Sequence, residues 1–139
     1  MAVNTQFSIA VHVMAALACQ PDADVTSGDL AASVNTSPSF VRRVLSKLSK
    51  AGLIKTTTGK SGACRFTRKA ADISLADIYH AVDAPAAFSI HSYPEQKCCT
   101  VSCHIKAALE KALARTQKDM EASLAGISLA RIISDVRKK

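Results

Sequence analysis

Apolar residues recur at helical spacing in several separate stretches of the chain, and most of these stretches open or close on a recognisable cap. Phe7 to Ala18 is nearly all apolar and reads as a packed helix, ended by Pro21 and the Asp22 to Asp24 loop. Thr26-Ser27-Gly28-Asp29 has the form of a capping box, and Val25 and Leu30 on either side fit a hydrophobic staple. A short helix to about Val34 is therefore expected, then a turn at Asn35-Thr36. Ser37-Pro38 starts the next helix, with Ser as N-cap and the fixed φ of Pro suited to the first helical position. Along it Phe40, Val41, Val44, Leu45 and Leu48 share one arc of ~140°. Arg42, Arg43, Lys47 and Lys50 lie opposite, with Ser39, Ser46 and Ser49 between. The helix packs by one face and presents cations and hydroxyls by the other. Ala51-Gly52 ends it, with glycine where a left-handed residue is wanted.

The period then changes. Leu53 to Thr58 and Cys64 to Thr67 are short β-prone runs around Gly59-Lys60-Ser61-Gly62-Ala63, which predicts a hairpin with a basic tip. Ile73-Ser74-Leu75-Ala76-Asp77-Ile78 opens another capped helix. Ile127-Ser128-Leu129-Ala130-Arg131-Ile132 looks much like it, and we read the likeness as shared capping logic because the flanking sequence does not repeat. Ala84 to Lys97 is a loop. From about Val101 a long Ala-rich helix carries Ile105, Leu109 and Leu113 at four-residue steps, then Met120 and Leu124.

The predicted fold is mainly α with a small β-hairpin: a winged helix-turn-helix followed by a long C-terminal dimerisation helix. Residues 1–83 form the winged unit, 84–100 a linker and sensor loop, and 101–139 the dimerisation helix and a C-terminal helix. One small domain has limited core to offer so long a stripe, so a contact between subunits is expected there.

Charge sharpens this outline. The 139-residue chain carries +7 formally, yet no Asp or Glu occurs from Leu30 to Ala71, where nine Lys and Arg residues sit; the remainder nets −2. Double-stranded DNA, a dense array of phosphates, is the partner such a segment fits. Ser37, Ser39, Arg42, Arg43 and Lys47 on the basic helix, with Lys60, Ser61 and Arg65 on the hairpin, are the candidate contacts. No apolar run reaches the roughly 20 residues of a membrane span, and no export signal is legible, so a cytoplasmic protein is expected. Cys98, Cys99 and Cys103 crowd together, which points to metal or redox chemistry rather than to a disulfide frame.

The order of elements and several of their motifs resemble the Rrf-type winged-helix transcription regulators, a family that includes an iron–sulfur cluster regulator, a nitric-oxide-responsive repressor and a cysteine-metabolism repressor. The resemblance rests on Phe7-Ser8-Ile9-Ala10-Val11-His12, Ser37-Pro38-Ser39-Phe40-Val41, Leu45 to Leu53, Gly59-Lys60-Ser61-Gly62 and Ile73 to Ile78. It implies a homodimeric, sequence-specific DNA-binding regulator, most simply a repressor at a pseudo-palindromic operator, and no enzyme activity. Ala63 and Cys64 stand where the family usually has Gly-Tyr, which removes an aromatic contact and leaves Cys64 as a strand-packing thiol.

In the cluster-binding branch three cysteines before the long helix hold an iron–sulfur centre. The adjacent pair Cys98 and Cys99 departs from that spacing, and Cys103 is the best-matched position. Three readings stay open: a cluster with a fourth ligand such as His104 or a partner's group, a thiol redox switch, or cysteines without such a role. Zinc with His91 or His104 lacks a Cys-x-x-Cys motif, and the metal remains unassigned. A small thiol- or metal-dependent enzyme acting on an acidic substrate, or a winged-helix adaptor that binds no DNA, are the alternatives in function.

Overall fold

The computed structural model describes residues 5–20, 24–56 and 64–138. Among these residues six α-helices and one two-stranded sheet follow in the order α1 (Gln6–Ala18), α2 (Ser27–Val34), α3 (Pro38–Lys50), β1 (Ile54–Thr56), β2 (Cys64–Phe66), α4 (Leu75–Ala81), α5 (Thr100–Ala125) and α6 (Leu129–Arg137). This is the mainly helical winged helix-turn-helix that the sequence predicts, with a long helix near its C-terminal end. No helix among the described residues is long and apolar enough to cross a membrane.

The caps account for where the helices begin and end. Thr26 and Asp29 close a full capping box on α2, with Val25 and Leu30 buried beside it. α2 stops at Asn35, which takes the left-handed conformation (φ 68°) and turns the chain towards α3. Ser37 caps α3 by accepting the Phe40 N–H at 3.3 Å. α3 ends in a Schellman motif: Gly52 has φ 80°, its N–H meets the Ser49 carbonyl, and the Leu53 N–H meets the Leu48 carbonyl. Leu48 and Leu53 are both buried there, so the cap also steers the chain into β1. β1 and β2 pair antiparallel with Lys55 opposite Arg65, and the Thr67 hydroxyl donates to the Gly52 carbonyl.

The core lies between α1, α3, α4 and the base of the hairpin. Val13 and Met14 of α1, Val41, Val44 and Leu48 of α3, Ile54, Ile78 and Val82 are all at or within 1% of full burial. Cys64 is also buried, which pushes its thiol pKa up by desolvation. This is a packing thiol and a poor nucleophile at neutral pH.

The two similar strings, Ile73 to Ile78 and Ile127 to Ile132, meet in space. Ser74 and Ser128 form an isolated antiparallel bridge, with Leu75 N–H to the Ile127 carbonyl at 2.9 Å and Leu129 N–H to the Ile73 carbonyl at 2.8 Å. Both serines cap helices, and only Ser74 has the acidic partner, Asp77, that completes a capping box. Their shared capping logic is thus joined by a pairing that spans more than fifty residues. The bridge brings α6 back onto α1, where Leu129 and Ile133 complete the core of the winged unit.

α5 is a different kind of helix. None of its residues is buried, and Ile105, Leu109, Leu113, Met120 and Leu124 are half-buried only. The segment 84–99 runs along one side of it. Gln117 accepts from the Ala87 N–H at 3.0 Å and donates to the Tyr79 hydroxyl at 2.9 Å, which in turn donates to the Pro85 carbonyl. Lys106 donates to the Tyr93 carbonyl at 2.6 Å, and His80 of α4 lies 3.1 Å from Glu121. The remaining side is open, with Val101 65% exposed.

Candidate nucleic-acid interface

α3 offers the basic face that its periodicity predicts. Its four buried residues Val41, Val44, Leu45 and Leu48 anchor it from behind, which fixes the direction in which its polar residues point. Ser37, Ser39, Arg42 and Arg43 are exposed together at its N-terminal end. Arg42 donates to the Ser39 hydroxyl at 3.3 Å, and the Arg43 guanidinium lies 5.3 Å from the centre of the Phe40 ring. Each arginine thus has a partner on its own helix that directs it along the surface.

Lys47 is placed differently. It is half-buried and donates to the Gln6 side chain at 3.0 Å and to the Val82 carbonyl at 3.4 Å. Val82 is the C-cap of α4, so the Lys47 ammonium sits at the electronegative end of that helix. It ties α3 to α1 and α4 and is not grouped with Arg42 and Arg43. Periodicity puts Lys47 on the polar side of α3 but cannot show which neighbours stand at the edge of that side.

On the hairpin, Arg65 is exposed and paired at 3.0 Å with Asp24. Both partners are largely in solvent, so the pair adds little stability, on the order of 0–1 kcal/mol, and a phosphate could compete for the guanidinium. Lys60 and Ser61 lie outside the described residues.

A groove of about 370 Å³ separates α3 from the start of α2 and the hairpin. Arg42, Ser46 and Lys50 line it at four-residue steps along α3, facing Ser27 and Thr56. Ser27, Ser46, Lys50 and Thr56 were not among the contacts expected from sequence. The i, i+4, i+8 spacing from Arg42 through Ser46 to Lys50 is the signal that would have found the α3 members. Ser27 and Thr56 reach the groove only through the tertiary fold.

The cysteine loop stands apart from this surface. Cys98 and Cys99 are exposed and Cys103 is half-buried. Cys99 is the N-cap of α5, its sulfur accepting the Ser102 N–H at 3.4 Å, while the Cys103 thiol faces the carbonyls of Gln96 and Lys97 at 3.6 and 3.8 Å. Among the described residues no group of three or more His, Cys, Asp and Glu side chains could hold a metal ion. The side chains of one chain, arranged in this way, therefore do not fit an iron–sulfur cluster.

The chain is similar to known regulators of transcription. Residues 3–135 match the Rrf2 family, described as iron-dependent transcriptional regulators. The chain is 34% identical over 133 residues, 95% of its own length and 97% of the relative's, to YwnA of Bacillus subtilis, which is named as an HTH-type transcriptional regulator. A crystal structure described as that of a DNA-binding protein superposes with a TM-score of 0.75 at 30% identity, covering 92% of this chain and 98% of the other. IscR from T. potens shares the fold, with a TM-score of 0.71 at 21% identity over 99% of this chain and 90% of its own.

Proposed function

This chain belongs to the Rrf2 family and is a DNA-binding transcriptional regulator, and we propose that it works in the cytoplasm as a homodimeric repressor that responds to oxidation through its cysteine loop. Its relatives are regulators of transcription, which sets aside the enzyme alternative. The observation that carries the DNA-binding part is the exposed Ser37, Ser39, Arg42 and Arg43 cluster on a helix whose opposite face is buried. In this reading Arg42 and Arg43 contact bases or phosphates, the hydroxyls position the N-terminal end of α3, and Lys60, Ser61 and Arg65 serve the wing. Residues 1–83 contact DNA, 84–100 link and sense, and 101–139 carry the pairing.

The dimer reading is supported by α5, a 26-residue helix with no buried residue. A second copy laid along it would bury the open side and set two α3 helices at half-sites about one DNA turn apart. The redox reading is supported by three cysteines gathered at the start of α5, with Cys98 and Cys99 exposed and Cys99 at the N-cap. The Cys99 thiolate would attack one oxygen of a peroxide, the O–O bond breaking and, with a proton taken up, water leaving, to give a sulfenic acid. The Cys98 or Cys103 thiol would then displace a second water to close a disulfide.

Titrating duplex DNA binding against salt tests the first part. Affinity should fall steeply on a log–log plot, in proportion to the phosphates neutralised, and a flat slope or no binding at low salt would overturn it. Sedimentation at micromolar concentration tests the dimer, with a monomer as the adverse result. Replacing Cys98, Cys99 and Cys103 by Ser should abolish any peroxide effect on operator affinity; an unchanged effect would remove the switch from this loop.

A further inference from the structure

A second cavity, of about 600 Å³, lies between α1, α2 and α6, away from the α3 surface and the cysteine loop. Its size falls within the range of small-molecule sites. The floor is apolar: Val25 and Leu30 are buried, and Val11, Ala16 and Ile132 are half-buried. Val136, 63% exposed, stands at the mouth and is one of the few large apolar side chains left in solvent among the described residues. An apolar floor of this kind favours an apolar body over water.

The polar groups decide which end such a body should carry. His12 and Ser33 are joined across the α1–α2 side, Nε2 to Oγ, at 2.9 Å. Asp29 is the one carboxylate among the described lining residues, and no Lys or Arg is among them. The Thr26 backbone N–H, then its hydroxyl, hold the Asp29 carboxyl below its ordinary pKa of 3.8, so it is ionised at neutral pH. Its capping bond engages Oδ2. An exposed carboxylate at the edge of an apolar floor, with no Lys or Arg among the described lining residues, is complementary to an apolar molecule bearing positive charge.

We propose that this cavity is a ligand site for a small lipophilic cation, an apolar body that fits within this volume and carries one ammonium group. The apolar body lies against Leu30 and Ile132, and the ammonium meets Asp29 at the α2 end. Such a ligand touches α2, the helix before α3, and α6, which continues from α5. It would lie against the unit that faces DNA and the helix that follows the proposed pairing helix at once.

Calorimetric titration of the full chain with 4-phenylbutylamine, 4-phenylbutanol and 4-phenylbutyrate near pH 7 tests the proposal, because the three differ mainly in the charge of the head. The amine should bind at least ~10-fold tighter than the carboxylate, with the alcohol between them. Asp29→Asn keeps an acceptor for the cap and should bring amine and alcohol to within ~2-fold of each other. Ala16→Phe fills the floor and should abolish binding of all three. Val136→Trp, at an exposed position, gives the same readout from the mouth should Ala16→Phe fold poorly. Equal affinity for the three probes, no heat with the amine, or binding that survives both filling variants would overturn the proposal. So would a shift from dimer to monomer in both filling variants, since the cavity would then be covered by a second copy of the chain.

Discussion

α3 and α5 are both amphipathic in sequence, yet the fold treats them in opposite ways. α3 has 13 residues, and its four central apolar side chains are no more than 4% exposed. α5 has 26 residues and none of them is buried. α3 is therefore oriented entirely by its own domain, and its outward face is free to be specialised. The apolar stripe of α5 is only half-buried, with α4 packed against part of the helix, so it holds interaction capacity in reserve. A helix can carry a clear apolar stripe and still owe it to another molecule.

Truncating the α3 anchor should give the largest effect. Leu48→Ala, at a fully buried position, should lower unfolding free energy by roughly 2–5 kcal/mol in denaturant titrations. A change below ~1 kcal/mol would mean that α3 is not held as described. Leu109→Asp on α5 should leave the unfolding of a single chain nearly untouched but weaken self-association by roughly 2 kcal/mol or more, read by sedimentation. If it unfolds the chain instead, α5 belongs to the core and the contrast fails.

The next prediction divides α3 itself. Arg42→Ala should cost ~1–3 kcal/mol in operator binding with little loss of fold stability. Lys47→Met should do the reverse, losing ~1 kcal/mol of stability with the bonds to Gln6 and Val82 while the salt slope for DNA stays the same. Equal losses of DNA affinity from both would return Lys47 to the DNA-facing group. The smallest effect concerns pH. Because the Asp29 carboxyl titrates below its ordinary 3.8 in the folded chain, its stabilising contribution is present above that value and is lost as pH falls through the folded value. Asp29→Ala should therefore narrow the difference in melting temperature between pH 6 and pH 3, and an unchanged difference would place the acid sensitivity elsewhere.

Much of this could be read from local sequence. Ser37-Pro38, the Thr26 and Ser74 capping boxes and Gly52 act over three to five residues, a range in which backbone sterics and one side-chain bond decide the outcome. What escaped the sequence involves distance. Lys47 reads as a surface cation until Gln6 and the end of α4 are placed beside it. Ser27 and Thr56 join the α3 groove only through tertiary packing. The alternation around Ser128 announces a helix start, but not that its backbone would pair with Ser74. The cysteine loop was legible as a cluster of thiols; that Cys99 would cap α5 depended on where that helix begins.

The Ser74–Ser128 bridge also has a bearing on the order of events during synthesis. A ribosome delivers the chain from its N-terminal end, so α1 to α4 are made well before Leu129. Until α6 arrives, the place that Leu129 and Ile133 occupy against α1 stands open to water. Closing a loop of this length adds only a modest entropy over a shorter one, so the delay lies in translation rather than in the search. The nascent winged unit is thus incomplete until α6 emerges, more than fifty residues after Ser74. A chain halted within α5 would expose an apolar gap of the sort that chaperones and proteases recognise.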